Sequence, residues 1–341
     1  MKIDLKKLQE EIDGGWVFEQ KHPDLPLRIL KYSKKTTYDN HWNEITNICR
    51  GLVIDNEGNI VINCIPKFHN SFDKFGQETL KKNEGKKYEI TEKWDGQLVQ
   101  IALWNDNVII TSSGSFCSDV VDKVREILDK EICGYSFLEY GKSYVFELIH
   151  NKIIVDYDGL TKLVLLTIRE TETSEEKFIS SDYLIDWHID GVEPISKTLE
   201  EIIKDQKRED YINKEGYVVK FENGDRVKVK YLKYLEIHKL ASGLNETFVW
   251  ETLKNGNESI LQNVPDEMIE WTNKTVNNLK KDYNDFHEKI NNIYLSIPRT
   301  ETKKEFAKYV FENHKNINGL LFSLYDKKDF SKLIWDRVKP S

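Results

Sequence analysis

The chain has 341 residues, 39% apolar and 32% charged, with a net charge of −8. That length calls for two domains rather than one small core, the composition excludes a disordered chain, and the acidity excludes histone-like wrapping of nucleic acid. Phosphate contact depends on local charge: residues 245–341 balance 15 basic against 15 acidic side chains, so the deficit lies in residues 1–244, with 35 against 43.

The first residues, Met1-Lys2-Ile3-Asp4-Leu5-Lys6-Lys7, carry charge where a signal peptide needs an apolar stretch. No run approaches the roughly 18–20 apolar residues that span a bilayer. The four cysteines, Cys49, Cys64, Cys117 and Cys133, form no CxxC pair. The expectation is a cytoplasmic protein, without a membrane partner, a zinc site or a disulfide scaffold.

Residues 1–240 alternate short strand-like runs with short helices. Cys49-Arg50-Gly51 leads into a strand over Leu52–Asp55, and Pro66-Lys67-Phe68-His69-Asn70 follows. Tyr88–Glu92 and Leu98–Trp104 read as strands, and a turn at Asn105-Asp106-Asn107 leads to another strand, Val108–Thr111. Between the first two lies Lys93-Trp94-Asp95-Gly96, which lets a strand-end lysine project while the glycine permits a tight turn. Ser118 is placed to cap a helix over Asp119–Glu131, whose Val120, Val121, Val124, Ile127 and Leu128 share a face. Strands are expected at Tyr144–Ile149, Lys152–Val155 and Lys162–Ile168. Glu215-Gly216 opens a hairpin whose strands, Tyr217–Phe221 and Arg226–Lys230, flank Asn223-Gly224, a pair that tolerates positive φ. This is an α+β pattern rich in antiparallel hairpins, not a doubly wound one.

After Leu240 the periodicity becomes helical, over Val249–Leu253, Met268–Ile290, Glu305–Phe311 and Leu320–Leu324. Pro265 and Pro298 punctuate these runs, and Thr300 is a candidate cap. The expected domains are residues 1–242, antiparallel sheets with helices, and residues 243–341, all helical. The eight histidines form no HxxH, HxxxH or HxH cluster.

Lys228 and Lys230 alternate with Val229 on a strand, so both side chains point to one face. A lysine amine attacks phosphorus only when neutral, and its ordinary pKa is about 10.4. Nearby cations and burial both disfavour the ammonium form, so lysines gathered on one face suit nucleophilic chemistry.

Lys93-Trp94-Asp95-Gly96, Cys49-Arg50-Gly51, Phe146-Glu147-Leu148, Glu215-Gly216-Tyr217-Val218-Val219 and Lys228-Val229-Lys230 form an ordered set. With Leu163–Thr173, this set resembles the covalent nucleotidyltransferases, and within them the phage-type RNA ligase 1 family of ATP-dependent RNA ligases. The resemblance spans roughly residues 28–240. It implies a nucleotidyltransferase (ATP-grasp-like ligase) domain followed by a helical C-terminal domain that selects RNA.

The implied reaction joins an RNA 5′-phosphate to a 3′-hydroxyl through a covalent lysyl–AMP and an RNA-adenylate, as in RNA repair. Lys93 is the implied nucleophile, with Lys228 and Lys230 at the α-phosphate. The resemblance further places Arg50 on the nucleotide or a phosphate, Lys67 near the ATP tail phosphates with Lys74-Phe75 as a rival register, Glu147 on the ribose, Glu92 on the adenine amino group and Glu215 on Mg2+ or Mn2+. Tyr234 also matches a family tyrosine. ATP is the implied nucleotide, and RNA, including tRNA, the partner of a monomer.

One departure is Ser113, in Thr111-Ser112-Ser113-Gly114-Ser115, where the family has a basic residue; Lys123 and Arg125 are candidate substitutes. The alternatives are a degenerate nucleotidyltransferase that only binds nucleotide or RNA, and a DNA ligase or capping-type enzyme. The last two families carry an OB-fold barrel after the final lysine motif, where this chain has a helical pattern.

Overall fold

A computed structural model describes the chain except for residues 131–133, 151–152, 178, 180, 209, 211–212, 242, 265–267 and 341. The chain divides into two compact units, Met1–His238 and Lys239–Ser341, a boundary four residues before the expected domain end at residue 242. Among the described residues no helix is long and apolar enough to cross a membrane.

Among its described residues the first unit contains three sheets. In the first, β1 (Val17–Lys21), β2 (Leu27–Tyr32), β3 (Arg50–Asp55) and β4 (Ile60–Ile62) run antiparallel in sequence order. Leu52, Val53 and Ile54 are consecutive and fully buried, because this strand is covered on both faces. Leu52 and Ile54 pack with Leu8 of helix Leu5–Asp13, which Asp4 caps by accepting from the N–H groups of Lys6 and Lys7. Val53 points the other way, toward Ala102, Ile109 and Phe116.

β5 (His69–Asn70) and β6 (Tyr88–Lys93) belong to a sheet completed later in the chain. The central sheet is built from β7 (Gln97–Trp104), β8 (Asn107–Ser112), β9 (Lys142–Ile149), β10 (Lys162–Glu170) and β11 (Glu176–Lys177), in the order β11-β10-β9-β7-β8. β12 (Asp190–Gly191) lies parallel to β10. Asn105 and Asp106 take φ values of 44° and 61°, the positive-φ pair that closes the β7–β8 hairpin. Helix Asp119–Lys130 covers this sheet with Val121, Val124, Ile127 and Leu128. Ser118 Oγ accepts from the Val121 N–H at 3.4 Å; position 131 lies outside the described residues.

β13 (Gly216–Phe221) and β14 (Arg226–Lys230) complete the third sheet, in the order β5-β14-β13-β6. Its buried face, with Ile90, Tyr217, Val219, Val227 and Val229, packs on Ile202 of helix Leu199–Gln206. The link from β6 to β7 is only residues 94–96, so the chain leaves the third sheet at Lys93 and enters the central sheet at Gln97.

The second unit is helical among its described residues. Helices Glu246–Lys254, Ile269–Ser296, Lys303–Asn313, Asn318–Tyr325 and Ser331–Arg337 gather a core around Ile290, Phe306, Val310, Leu320, Leu321 and Ile334.

Two local expectations are corrected. Residues 153–155 form bends, not strand, because the Ile154 and Val155 N–H groups are taken by the Asp95 carboxylate at 2.9 and 2.8 Å; Lys152 lies outside the described residues. The cap before Lys303 is Thr302, not Thr300: its side chain accepts from the Glu305 N–H, the spacing of a Thr-x-x-Glu start. Helix Ile269–Ser296 ends before Pro298 as expected, while Pro265 lies outside the described residues.

Candidate active site

Lys93 ends β6 opposite Gly216 on β13, and Gly216 is opposite Lys230 on β14. Directly paired residues share a sheet face, so Lys93 and Lys230 project side by side with a glycine between them. Gly216 has φ +151°, and a methyl on it would stand 2.2 Å from the Val229 carbonyl oxygen. Any larger residue would push the strands apart. Lys228, paired with Val218, extends the row and is half-buried.

Glu215 closes the gap between the two lysines. Its Oε2 accepts from Lys93 Nζ and its Oε1 from Lys230 Nζ, each at 2.8 Å, with the carboxylate 3% exposed. Burial works against its ionised form, yet the two ammonium groups outweigh that and hold its carboxyl below the usual range. The arrangement is therefore lysine–carboxylate–lysine, where the sequence suggested a cationic cluster. The bridge depends on the register of three strands, which no local pattern reveals.

The link after Lys93 is held by Asp95, which is 6% exposed. Its Oδ2 accepts from the Ile154 and Val155 N–H groups, its Oδ1 accepts from the Tyr234 hydroxyl at 2.9 Å, and its own N–H donates to the Tyr157 hydroxyl at 2.8 Å. Tyr234 thus anchors the link, and the Lys230 ammonium lies 5.3 Å from its ring centroid. Trp94 stacks on Tyr157 at 5.5 Å, and Lys162 covers it at 4.6 Å. Gly96 lies so close to β9 that a methyl would meet the Leu148 carbonyl oxygen at 2.5 Å.

That close approach lets the Gly96 N–H donate to Glu147 Oε1 at 3.2 Å. Burial pushes the Glu147 carboxyl up to about 7, opposed by Lys93 and Arg50 and reinforced by Glu215. Between the ordinary 4.5 and about 7 the folded protein therefore binds more protons than the unfolded chain. Stability from this group falls as pH rises across that window and levels off above it. Glu147→Gln should flatten that slope in denaturant titrations at successive pH values. An unchanged slope would show that another group sets it.

Arg50, paired with Lys31 across β2 and β3, donates to the Ile65 carbonyl at 3.5 Å and lies 5.3 Å from the Phe68 ring centroid. Lys67 lies in an aromatic setting, 5.0 Å from each of the Tyr32 and Trp42 ring centroids and 3.4 Å from the Tyr32 hydroxyl. Glu92 is not brought to the cluster: it pairs with Tyr217 in register, projects to the face opposite Lys93, and accepts from Lys214 at 2.8 Å. Near Ser113 the cation is Lys31, whose Nζ donates to Ser113 Oγ at 3.4 Å, while Lys123 bonds Glu126.

Among the described residues no group of three or more His, Cys, Asp or Glu side chains forms a metal cage. Glu215 and Glu147 are nonetheless two buried or half-buried carboxylates, and the Glu215 charge raises the cost of ionising Glu147. That donor set fits a hard divalent ion shared between one or two carboxylates and substrate phosphates.

A family profile described as RNA ligase matches residues 48–251, more than half of the chain. Solved structures of an archaeal ATP-dependent RNA ligase share the fold. One form aligns over 96% of this chain and 97% of its own, at 14% identity and TM-score 0.53. A second aligns over 91% and 87%, at 15% identity and TM-score 0.52. Curated proteins yield no match.

Proposed function

Since the chain belongs to the RNA ligase family, we propose that it joins RNA ends with ATP through a covalent lysyl–AMP on Lys93. One observation carries the assignment of the nucleophile: Lys93 and Lys230 share a sheet face and one buried carboxylate, Glu215.

In the first step the Lys93 ammonium gives up its proton and its nitrogen attacks the α-phosphorus of ATP. The N–P bond forms as the bond to pyrophosphate breaks. An oxygen of the RNA 5′-phosphate then attacks the same phosphorus, and Lys93 leaves and regains a proton. Finally the RNA 3′-hydroxyl attacks the 5′-phosphate, loses its proton and releases AMP. Lys228 and Lys230 offset phosphate charge during these displacements. Glu147 and Arg50 border the nucleotide. Mg2+ or Mn2+ bound by Glu215 would supply further charge neutralisation at phosphorus.

The protein's partner is RNA with a 5′-phosphate and a 3′-hydroxyl, tRNA included, and we place the reaction in a cytoplasm with the protein acting as a monomer. The helical unit argues against capping enzymes and DNA ligases, whose OB-fold barrel would need strands after Lys230. Incubation with α-labelled ATP, divalent metal and such an RNA should give labelled protein, then labelled RNA, then joined product. A wild-type protein that takes no label would overturn the reading.

We assign RNA selection to residues 239–341, because the Lys93, Glu147, Glu215 and Lys230 cluster is complete without them. Their deletion should spare labelling of Lys93 while reducing the joining of structured RNA. Unchanged joining would assign the helices another role.

A further inference from the structure

Residues 27–38 carry four cations (Arg28, Lys31, Lys34 and Lys35) and no acidic side chain, within a chain of net charge −8. They lie outside the matched residues 48–251, so the family match assigns them nothing.

The surroundings of Lys31 set it apart within this run. It is paired in register with Arg50, whose charge acts on Glu147. Its exposed side chain leaves the first sheet and donates to Ser113 Oγ, just beyond the end of β8 in the central sheet. Gly114 makes room for its stem, since a methyl there would stand 2.6 Å from Lys31 Cδ. The backbone beside Arg50 closes on the same turn: a methyl on Gly51 would stand 3.3 Å from the Ser113 carbonyl oxygen. The two sheets therefore meet at a turn shaped around one lysine, and Lys31 sits at the strand position facing Arg50, whose charge reaches Glu147.

We propose that Lys31 is a positioning residue that holds the 5′-terminal phosphate of the RNA while AMP is transferred to it. The inference rests on the ligase reading above. In that step a phosphate oxygen forms a bond to the adenylate phosphorus as the N–P bond to Lys93 breaks, and the electron pair returns to the lysine nitrogen, which takes up a proton. The incoming phosphate carries up to about −2 charges and meets an adenylate that is itself anionic. A cation on the incoming group offsets that repulsion without exchanging a bond. The Ser113 hydroxyl is a neutral acceptor that a phosphate dianion readily displaces. A lysine, a point charge on a flexible stem, can follow that exchange.

The test separates the first two chemical steps. Wild type, Lys31→Ala and Lys31→Arg are labelled with α-labelled ATP, isolated, and mixed with a 5′-phosphorylated single-stranded RNA blocked at its 3′ end. Lys31→Ala should take up label like the wild type but pass it to RNA about tenfold more slowly or worse, the scale of one charge-assisted hydrogen bond. Lys31→Arg should retain most of the transfer rate. Transfer by Lys31→Ala at the wild-type rate would overturn the proposal, as would a parallel loss of labelling, which would place Lys31 in the nucleotide site or the fold. A wild-type protein that takes no label fails at the earlier step in every variant, and removes the ligase reading along with this one.

Discussion

Lys93→Ala should abolish covalent labelling of the protein by α-labelled ATP and, with it, joining of 5′-phosphorylated RNA, a loss of roughly three orders of magnitude or more. No other described side chain can replace it at the same point. Lys230 lies across the Glu215 bridge, 5% exposed and against the Tyr234 ring. Lys93→Arg should be equally inactive, because a guanidinium stays protonated and cannot attack phosphorus. The fold should survive either change: Lys93 is 20% exposed, and Glu215 keeps its bond to Lys230. Joining of a chemically pre-adenylated RNA needs no lysyl–AMP, so it should persist in Lys93→Ala. If the alanine variant still took up label at the wild-type level, another residue would be the nucleophile and the assignment would fall.

The second large effect concerns stability. Glu176, on β11 of the central sheet, accepts from Arg226 of β14 at 2.7 and 2.5 Å and pairs with Lys220 of β13 at 3.0 Å. Arg169 and Thr167 of β10 donate to the same carboxylate at 2.8 and 3.0 Å. Burial opposes its ionisation, but the hydrogen bonds and charges of Arg226 and Lys220 overcome that and hold the carboxyl down at about 2. Glu176→Ala would leave Arg169 and Arg226 buried without their shared anion. Breaking a buried pair in this way costs about 3–5 kcal/mol, against a total stability of about 5–15 kcal/mol for a typical domain.

The depressed pKa contributes stability that is present above the ordinary 4.5 and is lost as pH falls toward about 2. Denaturant titration of Glu176→Ala at neutral pH should show the deficit, and the wild type should approach the variant under acid. A variant within about 1 kcal/mol of the wild type at neutral pH would show that the arginines find other partners.

Much of the site was legible because its parts are local in sequence. Lys228 and Lys230 are two residues apart on one strand, and Asn223-Gly224 marks the turn that brings β14 beside β13. The cross-strand relations were not legible. Nothing near Glu215 says that it bridges Lys93 and Lys230, since that depends on two strand registers more than 120 residues apart in the chain for one pair. Glu92 adjoins Lys93 in sequence, yet strand alternation sends it to the other sheet face, where it bonds Lys214. Glu176 and Lys31 carry no motif at all. Arg226 and Lys220 reach Glu176 from another sheet and Ser113 meets Lys31 from another, so only closure of the fold brings them together. The Lys152–Val155 run failed as a strand for a related reason: its N–H groups serve a distant carboxylate, Asp95, instead of a neighbouring strand.

The three-residue link between β6 and β7 is anchored on both sides. Asp95 is fixed by Tyr234, Tyr157 and two backbone amides, and Gly96 is pressed against β9. Side chains alternate along a strand, so adding or removing one residue here would exchange the inner and outer faces of either β6 or β7. The link therefore acts like a reading frame for the first unit. Substitutions at Trp94 alter one stacking contact, with Tyr157, whereas a single-residue insertion would turn Lys93 away from Glu215 or empty the core beneath β7.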